Sequence, residues 1–232
     1  MNYTKIKRPL GYLGGDIMTH GSNLARQEEY DKFKEANIPG EVYSPVQNKS
    51  INDKSNMTEE ENNHLAEKIV EADVERLWNS DFTVLSTEQS AIGTMCEMGI
   101  LYGWKYMADK LWDITMEEDE WLRKMLKSND PNIRQRNLEQ EKELRIAARM
   151  KEEILRISRQ KNYAHYFDIR TNHLNEKDWR RSFSINQFLY GIILAATADG
   201  QLHNHFDEII PILQKEYGKK IKDTDFDHTD WR

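Results

Sequence analysis

The sequence predicts an α/β chain whose core is an open parallel sheet with helices on both faces. Three observations carry that prediction. Short apolar runs of strand length alternate with longer amphipathic runs over the first hundred residues. The first two short runs break at glycine or proline. The third, "DFTVLS", is apolar enough throughout for a sheet interior.

The elements follow in order. "LGYLGGD", Leu10 to Asp16, reads as a buried strand breaking into a glycine turn. "SNLARQEEYDKFKEANI" has helical spacing, with Leu24, Tyr30 and Phe33 on one side and Ser22 or Asn23 as the cap. "EVYSPV" is a second strand, stopped by Pro45. The polar tract "QNKSINDKSNMTEEENN" reads as a loop. "HLAEKIVEADVERLWNS" is a helix with Leu65, Ile69, Val70, Val74, Leu77 and Trp78 on its apolar side. "DFTVLS" is the third strand, and "IGTMCEMGILYG", from Ile92 to Gly103, opens the next helix.

The alternation then stops. From Thr115 to about Lys161 opposite charges recur at short spacing, and Pro131 divides the block. This predicts a helical insertion, with Leu138, Leu144, Ile146, Ile154 and Leu155 as the apolar side of its longer helix. "YAHYFDI", Tyr163 to Ile169, restores a strand. "SINQFLYGIILAATADG" and "HFDEIIPILQKEYG" close as helices, with a possible kink at Pro211. The whole reads as one domain over 1–232 with an insertion at about 115–161. Its expected architecture is a Rossmann-like or flavodoxin-like three-layer sandwich.

Composition narrows the function classes. The 232 residues are 38% hydrophobic and 31% charged, with 6 tryptophans and 10 tyrosines, which is unlike a disordered chain. A net charge of -7 argues against a nucleic-acid partner. The single cysteine, Cys96, excludes an intrachain disulfide and a cysteine-rich zinc site, and it suits a cytoplasmic setting. No apolar h-region opens the chain, and the longest apolar run, "FLYGIILAATA", is too short to cross a membrane.

Ligands of open parallel sheets bind beyond the carboxyl ends of the strands. The stretch after the third strand carries one charge in an apolar setting, Glu97, bracketed by Gly93 and Gly99. The start of a helix favours the ionised carboxylate, and partial burial opposes it. Such a group is a candidate nucleophile or base, against the alternative of an edge carboxylate pointing to water. Gly93 fits a tight strand-to-helix turn. The loop "THGSN" with His20, Ser22 and the nearby Arg26 reads either as a phosphate grip or as a plain capped turn. Arg170 either reaches a ligand or pairs with Asp168. His203, His205 and Asp207 have no zinc-site spacing, and no metal or cofactor is expected.

Several motifs then add up. They are "YLGGD" with a following "NLAR", then "YSP", "EADVERLWNSDFTVL", "GTMCEMGILYG", "DIR" and "NQFLYGII". In order and spacing they resemble the nucleoside 2-deoxyribosyltransferases and their N-glycoside hydrolase relatives, over roughly residues 10–105 and 163–200. The resemblance implies that Glu97 is the nucleophile that attacks C1′ of a deoxynucleoside. It implies that Asp73 assists the leaving base or orients the sugar, while Asp81 reads better as a strand-edge residue. Tyr12, Gly14, Gly15, Asp16, Ser22 and Gly93 would line the nucleoside site. Asn186 would reach a neighbouring subunit's site, so a homo-oligomer with shared sites is expected. The expected partners are a nucleoside or nucleotide and a free nucleobase. One departure stands out: where the transferases commonly place an aspartate, this chain has Ala91 and Ile92, with Glu88 and Gln89 nearby. That leaves open a hydrolase acting on a nucleoside or its 5′-monophosphate. A non-catalytic nucleotide-binding or sensing module on the same fold is the third class.

Overall fold

The computed structural model describes residues 6–53, 55, 57–88, 90–126, 146, 148–166, 185–218 and 226–227. Four strands, β2 (Leu10–Gly14), β3 (Glu41–Tyr43), β4 (Phe82–Ser86) and β5 (Lys161–His165), form a parallel sheet in the order β3-β2-β4-β5. Two-residue strands β1 (Ile6–Lys7) and β6 (Phe226–Asp227) pair separately. The helices are α1 (His20–Glu35), α2 (Lys49–Asn52), α3 (Glu59–Asn63), α4 (Leu65–Asn79) and α5 (Ile92–Leu126). They continue with α6 through residues 148–159, α7 (Gln187–Ala196) and α8 (Phe206–Tyr217). This is the three-layer sandwich that the alternating pattern requires, a parallel sheet with helices on both faces. No described helix is long and apolar enough to cross a membrane.

The period-2 alternation of the strands divides the sheet into two unlike faces. On one face Leu13, Phe82, Val84 and Tyr163 pack with Phe33 of α1 and with Phe206, Ile209 and Leu213 of α8. Full burial of each such side chain stabilises by roughly 1.5–3 kcal/mol. The other face is more polar. Tyr12, Tyr43, Thr83, Leu85 and Asn162 share it by register. α4, α5 and α7 reach it through Asp73, Glu97 and the carbonyl of Ala196. Thr83 donates to Asn162 across β4 and β5 at 3.0 Å, so the polar groups of the sheet centre are paired.

Several local expectations change. The cap of α1 is Thr19, and Ser22 is its capping-box partner three residues on. The inward stripe of α1 is Ser22, Arg26, Glu29 and Phe33, whereas Leu24 is 55% exposed. The reason is that Arg26 and Glu29 neutralise each other inside, which lets a polar stripe face the sheet edge. Val70 of α4 is likewise exposed, while Leu65 and Leu77 are buried. The tract expected as loop holds α2 and α3, the latter started by a Thr58–Glu61 capping box. β5 begins at Lys161 and ends at His165, because its register is set by Phe82 of β4 opposite Lys161. Asp168, Ile169 and Arg170 lie outside the described residues. α8 runs on through Pro211.

The chain divides into two compact units, Met1–Leu101 with Lys161–Arg232, and Tyr102–Gln160. The second starts earlier than Thr115 because α5 continues unbroken to Leu126. Its described residues are almost all helical, and Ile154 is buried while Ile146 is exposed. Arg156 Nε pairs with Glu153 at 2.7 Å on α6. Pro131, Leu138 and Leu144 lie outside the described residues.

Candidate functional site

The chain leaves β2 towards β3 on one side and returns through β4 on the other. The strand order therefore reverses between β2 and β4, and their carboxyl ends border the crevice such sheets use for ligands. Tyr12 of β2 and Tyr43 of β3 are register partners, so their rings stand side by side on the same face. Their centroids are 5.7 Å apart, with 30° between the planes.

Each ring holds a carboxylate. The Tyr12 hydroxyl donates to Glu97 Oε1 at 2.6 Å. The Tyr43 hydroxyl donates to Asp73 Oδ1 at 3.2 Å and accepts from Asn48 Nδ2 at 3.0 Å. Glu97 Oε2 is buried and accepts no hydrogen bond from the described residues. Burial pushes the Glu97 carboxyl from its ordinary 4.5 up to about 7. The Tyr12 hydrogen bond works against that rise, and the negative charge of Asp73 adds to it. Burial also raises Asp73, again against a hydrogen bond, that of Tyr43. Tyr12 is pushed well above the usual phenol range, first by burial and then by the Glu97 and Asp73 charges, so it stays a donor.

The two glycines after Tyr12 are small for separate reasons. A Cβ on Gly14 would sit 2.7 Å from Glu97 Oε2, 2.7 Å from the Tyr12 ring and 2.6 Å from Leu85. Gly14→Ala is expected to displace Glu97, cost about 1–3 kcal/mol of stability through overpacking, and lower activity more than stability. Chemical denaturation beside initial rates would check it; unchanged rates would mean that Glu97 does not need this space. At Gly15 the guanidinium and stem of Arg26 occupy the place of a side chain. Arg26 is 3% exposed. Its Nη2 lies 2.5 Å from Glu29 Oε1 and its Nη1 lies 3.5 Å from Glu88 Oε1. His165 Nε2 lies 3.3 Å from Glu29, and Ser86 Oγ donates to Glu88 at 3.2 Å. Burial opposes ionisation of Glu29, but His165 and Arg26 outweigh it and hold its pKa below 4.5.

The structure thus brings Glu97, Asp73, Tyr12 and Gly14 together and accounts for Gly15 through Arg26. Asp16 is buried and ties two loops, accepting from Met18 N at 2.9 Å and from Ser90 Oγ at 3.4 Å. Ser22 is engaged in the α1 capping box. Gly93 is not a turn residue: it is the second residue of α5, and a Cβ there would meet nothing within 4 Å. Asn186 caps α7, accepting from Phe188 N at 2.9 Å and Leu189 N at 3.3 Å. The Asp81 carboxylate accepts from Leu10 N at 2.8 Å, while its backbone N donates to Leu10 O and its carbonyl accepts from Lys161 N, a strand-edge role. Glu88 is turned to Arg26 and Ser86, and Gln89 lies outside the described residues. His203 Nε2 lies 2.8 Å from Asp199, and His205 caps α8. Among the described residues no three or more His, Cys, Asp or Glu side chains are grouped to hold a metal.

Sequence reasoning missed Tyr43, Glu29 and His165 as members of these clusters. The Arg26–Glu29 spacing of three residues on a helix was a usable signal for one pair. Tyr43 was quoted only within the "YSP" motif, and neither its tie to Asp73 nor that of His165 to Glu29 left a local signal, because those partners are distant in sequence.

No family model matches the chain. The comparison with curated proteins gives no match either. Among solved structures, the chain is similar to the crystal structure of a conserved protein from Enterococcus faecalis V583. The two share 14% identity over 90% of this chain and 98% of that one, with a TM-score of 0.52, a likeness of fold.

Proposed function

We propose that the protein is a nucleoside 2-deoxyribosyltransferase. The observation that carries this reading is the state of Glu97, a buried carboxylate with Oε1 held by Tyr12 and Oε2 without a hydrogen bond among the described residues. In the proposed reaction, ionised Glu97 Oε2 attacks C1′ of a 2′-deoxynucleoside. The C1′–N bond breaks, its electron pair leaves with the base, and Asp73 supplies the base with a proton. The product is a glycosyl ester on Glu97. An incoming base then attacks C1′ and loses a proton to Asp73, and the Glu97 carboxylate is released. The two displacements follow the logic of a retaining glycosidase. The sequence motifs quoted above support the choice of substrate class. The chemistry asks for no metal or cofactor.

Hydrolysis is the second reading, with water in place of the incoming base. What favours it is the region where a carboxylate is usual in transferases. Ala91 is 3% exposed, Ile92 is 73% exposed, and Glu88 is occupied by Arg26. Neither Ala91 nor Ile92 can offer a base edge a charged acceptor, a contact worth roughly 1.5–3 kcal/mol. The deciding experiment is a panel of deoxynucleosides and deoxynucleoside 5′-monophosphates, with and without acceptor base. The expected outcome is cleavage with an unusually large share of free deoxyribose. Ile92→Asp, at an exposed position, is expected to raise the transfer share; Ala91→Asp would bury a new carboxylate. No cleavage of any donor would sink the proposal.

The same reading includes a homo-oligomer with shared sites. Phe188, beside the Asn186 cap, is 79% exposed on α7. Light scattering at micromolar concentration checks this, and a 27.5 kDa particle removes the shared site.

A further inference from the structure

The two carboxylates of the site are held in the same way from adjacent strands. One tyrosine hydroxyl sits on one oxygen of each, and the tyrosines are neighbours in register. A phenol has one proton to give. Because Asn48 Nδ2 donates to the Tyr43 hydroxyl at 3.0 Å, that hydroxyl accepts there and its own proton is directed at Asp73. The Tyr43 ring is itself fixed, with Tyr12 at 5.7 Å and the Arg76 guanidinium at 5.3 Å from its centroid. Asp73 would otherwise be a half-buried aspartate on a helix, free to turn about χ1 and χ2.

We propose that Tyr43, oriented by Asn48, is the positioning residue that fixes Asp73 relative to Glu97, so that one carboxylate handles the proton while the other attacks carbon. The proposal rests on the glycosyl-transfer reading above. The groups that bear on Asp73 are Tyr43 from β3, Tyr12 from β2 and Glu97 from α5, while Arg76, on the same helix as Asp73, lies over the Tyr43 ring. A hydrogen bond to the ionised form favours that form, so deleting the Tyr43 hydroxyl raises the Asp73 pKa. It also leaves the acid free to move, and loss of alignment costs rate only where a proton must be delivered.

The test uses Tyr43→Phe, which keeps the ring, and Asn48→Ala, which frees the hydroxyl to turn. Carbon-13 carboxyl titration of Asp73 in the whole protein reads the tie without turnover. An upward shift is expected in Tyr43→Phe and a smaller one in Asn48→Ala. Initial rates are then compared on two donors, a natural deoxynucleoside and a 2-deoxyribosyl donor whose leaving group departs without a proton. The expected loss in Tyr43→Phe is about 10-fold on the first, a fraction of the usual general-acid contribution, and within about 2-fold on the second. An unchanged Asp73 titration overturns the tie. Equal losses on both donors overturn the positioning role, since a merely structural defect would not distinguish them. If wild type cleaves neither donor, the functional reading falls and takes the catalytic half of this inference with it, while the titration still decides the tie.

Discussion

Glu97→Gln is expected to lower turnover by at least about 100-fold, the low end of what a positioned catalytic group contributes, while the fold survives. Glutamine keeps the shape and can still accept from Tyr12, but its amide is no nucleophile. The same substitution changes the pH dependence of stability. The Glu97 pKa is raised in the folded state, from 4.5 to about 7. Between those values the folded chain binds more protons than the unfolded one, so stability falls as pH rises through that window. The penalty is complete above pH 7 and amounts to about 3 kcal/mol at 1.36 kcal/mol per pH unit. Glu97→Gln should remove that slope, whatever constant cost the buried amide adds. The check is denaturant unfolding of both proteins at pH 4.5, 5.5, 6.5 and 7.5, beside initial rates on a confirmed donor. On the activity side, kcat/KM of the wild type should rise with pH up to about 7, because the proposed reaction needs Glu97 ionised. Parallel stability curves together with similar rates would refute this assignment.

Arg26→Met is expected to cost about 3–5 kcal/mol at neutral pH, the range for breaking one partner out of a buried ion pair. It leaves Glu29 buried with His165, at 3.3 Å, as its remaining ion-pair partner among the described residues. It also uncovers the space over Gly15 that the arginine stem fills. The sign with pH is opposite to that of Glu97. The folded-state pKa of Glu29 is depressed, so its favourable contribution is present above 4.5 and is lost as pH falls. In the variant the lone carboxylate titrates upward, and the destabilisation should shrink as acid neutralises it. A double variant, Arg26→Met with Glu29→Gln, is expected to recover part of the loss. Unfolding free energies at pH 7 and pH 5 decide the matter, and a loss under about 1 kcal/mol at pH 7 would show that the pair does not hold this edge together.

The sheet was legible because strand length, apolar content and turn residues agree at each run. "DFTVLS" has to lie inside, and as β4 it is buried at every position. Glu97 was legible for a similar reason, as one carboxylate in an apolar helix start. Its neighbourhood was less so. Gly14 was expected to line the nucleoside site, and the place of a side chain there is taken by Glu97, Tyr12 and Leu85. Gly93 looked like a turn and lies in a helix with open space around it. In α1 the apolar spacing pointed to Leu24, yet the buried stripe carries Arg26 and Glu29. Periodicity sees apolar residues; it is blind to a polar pair that becomes buriable once its members meet. Tyr43 illustrates the other limit, since its partners Tyr12 and Asp73 lie 31 and 30 residues away.

The placement of β3 has a dynamic consequence. It is a three-residue strand at the sheet margin, half-buried throughout, whereas β4 is central and wholly buried. Amide protons at such a margin exchange through small local openings, and those of an interior strand wait for global unfolding. The Tyr43 half of the site therefore rests on a short marginal strand, and the Tyr12 half rests on β2, paired on both sides. The hydrogen bond from Tyr43 to Asp73 can open and re-form many times within the lifetime of a fold that keeps the Tyr12–Glu97 contact in place.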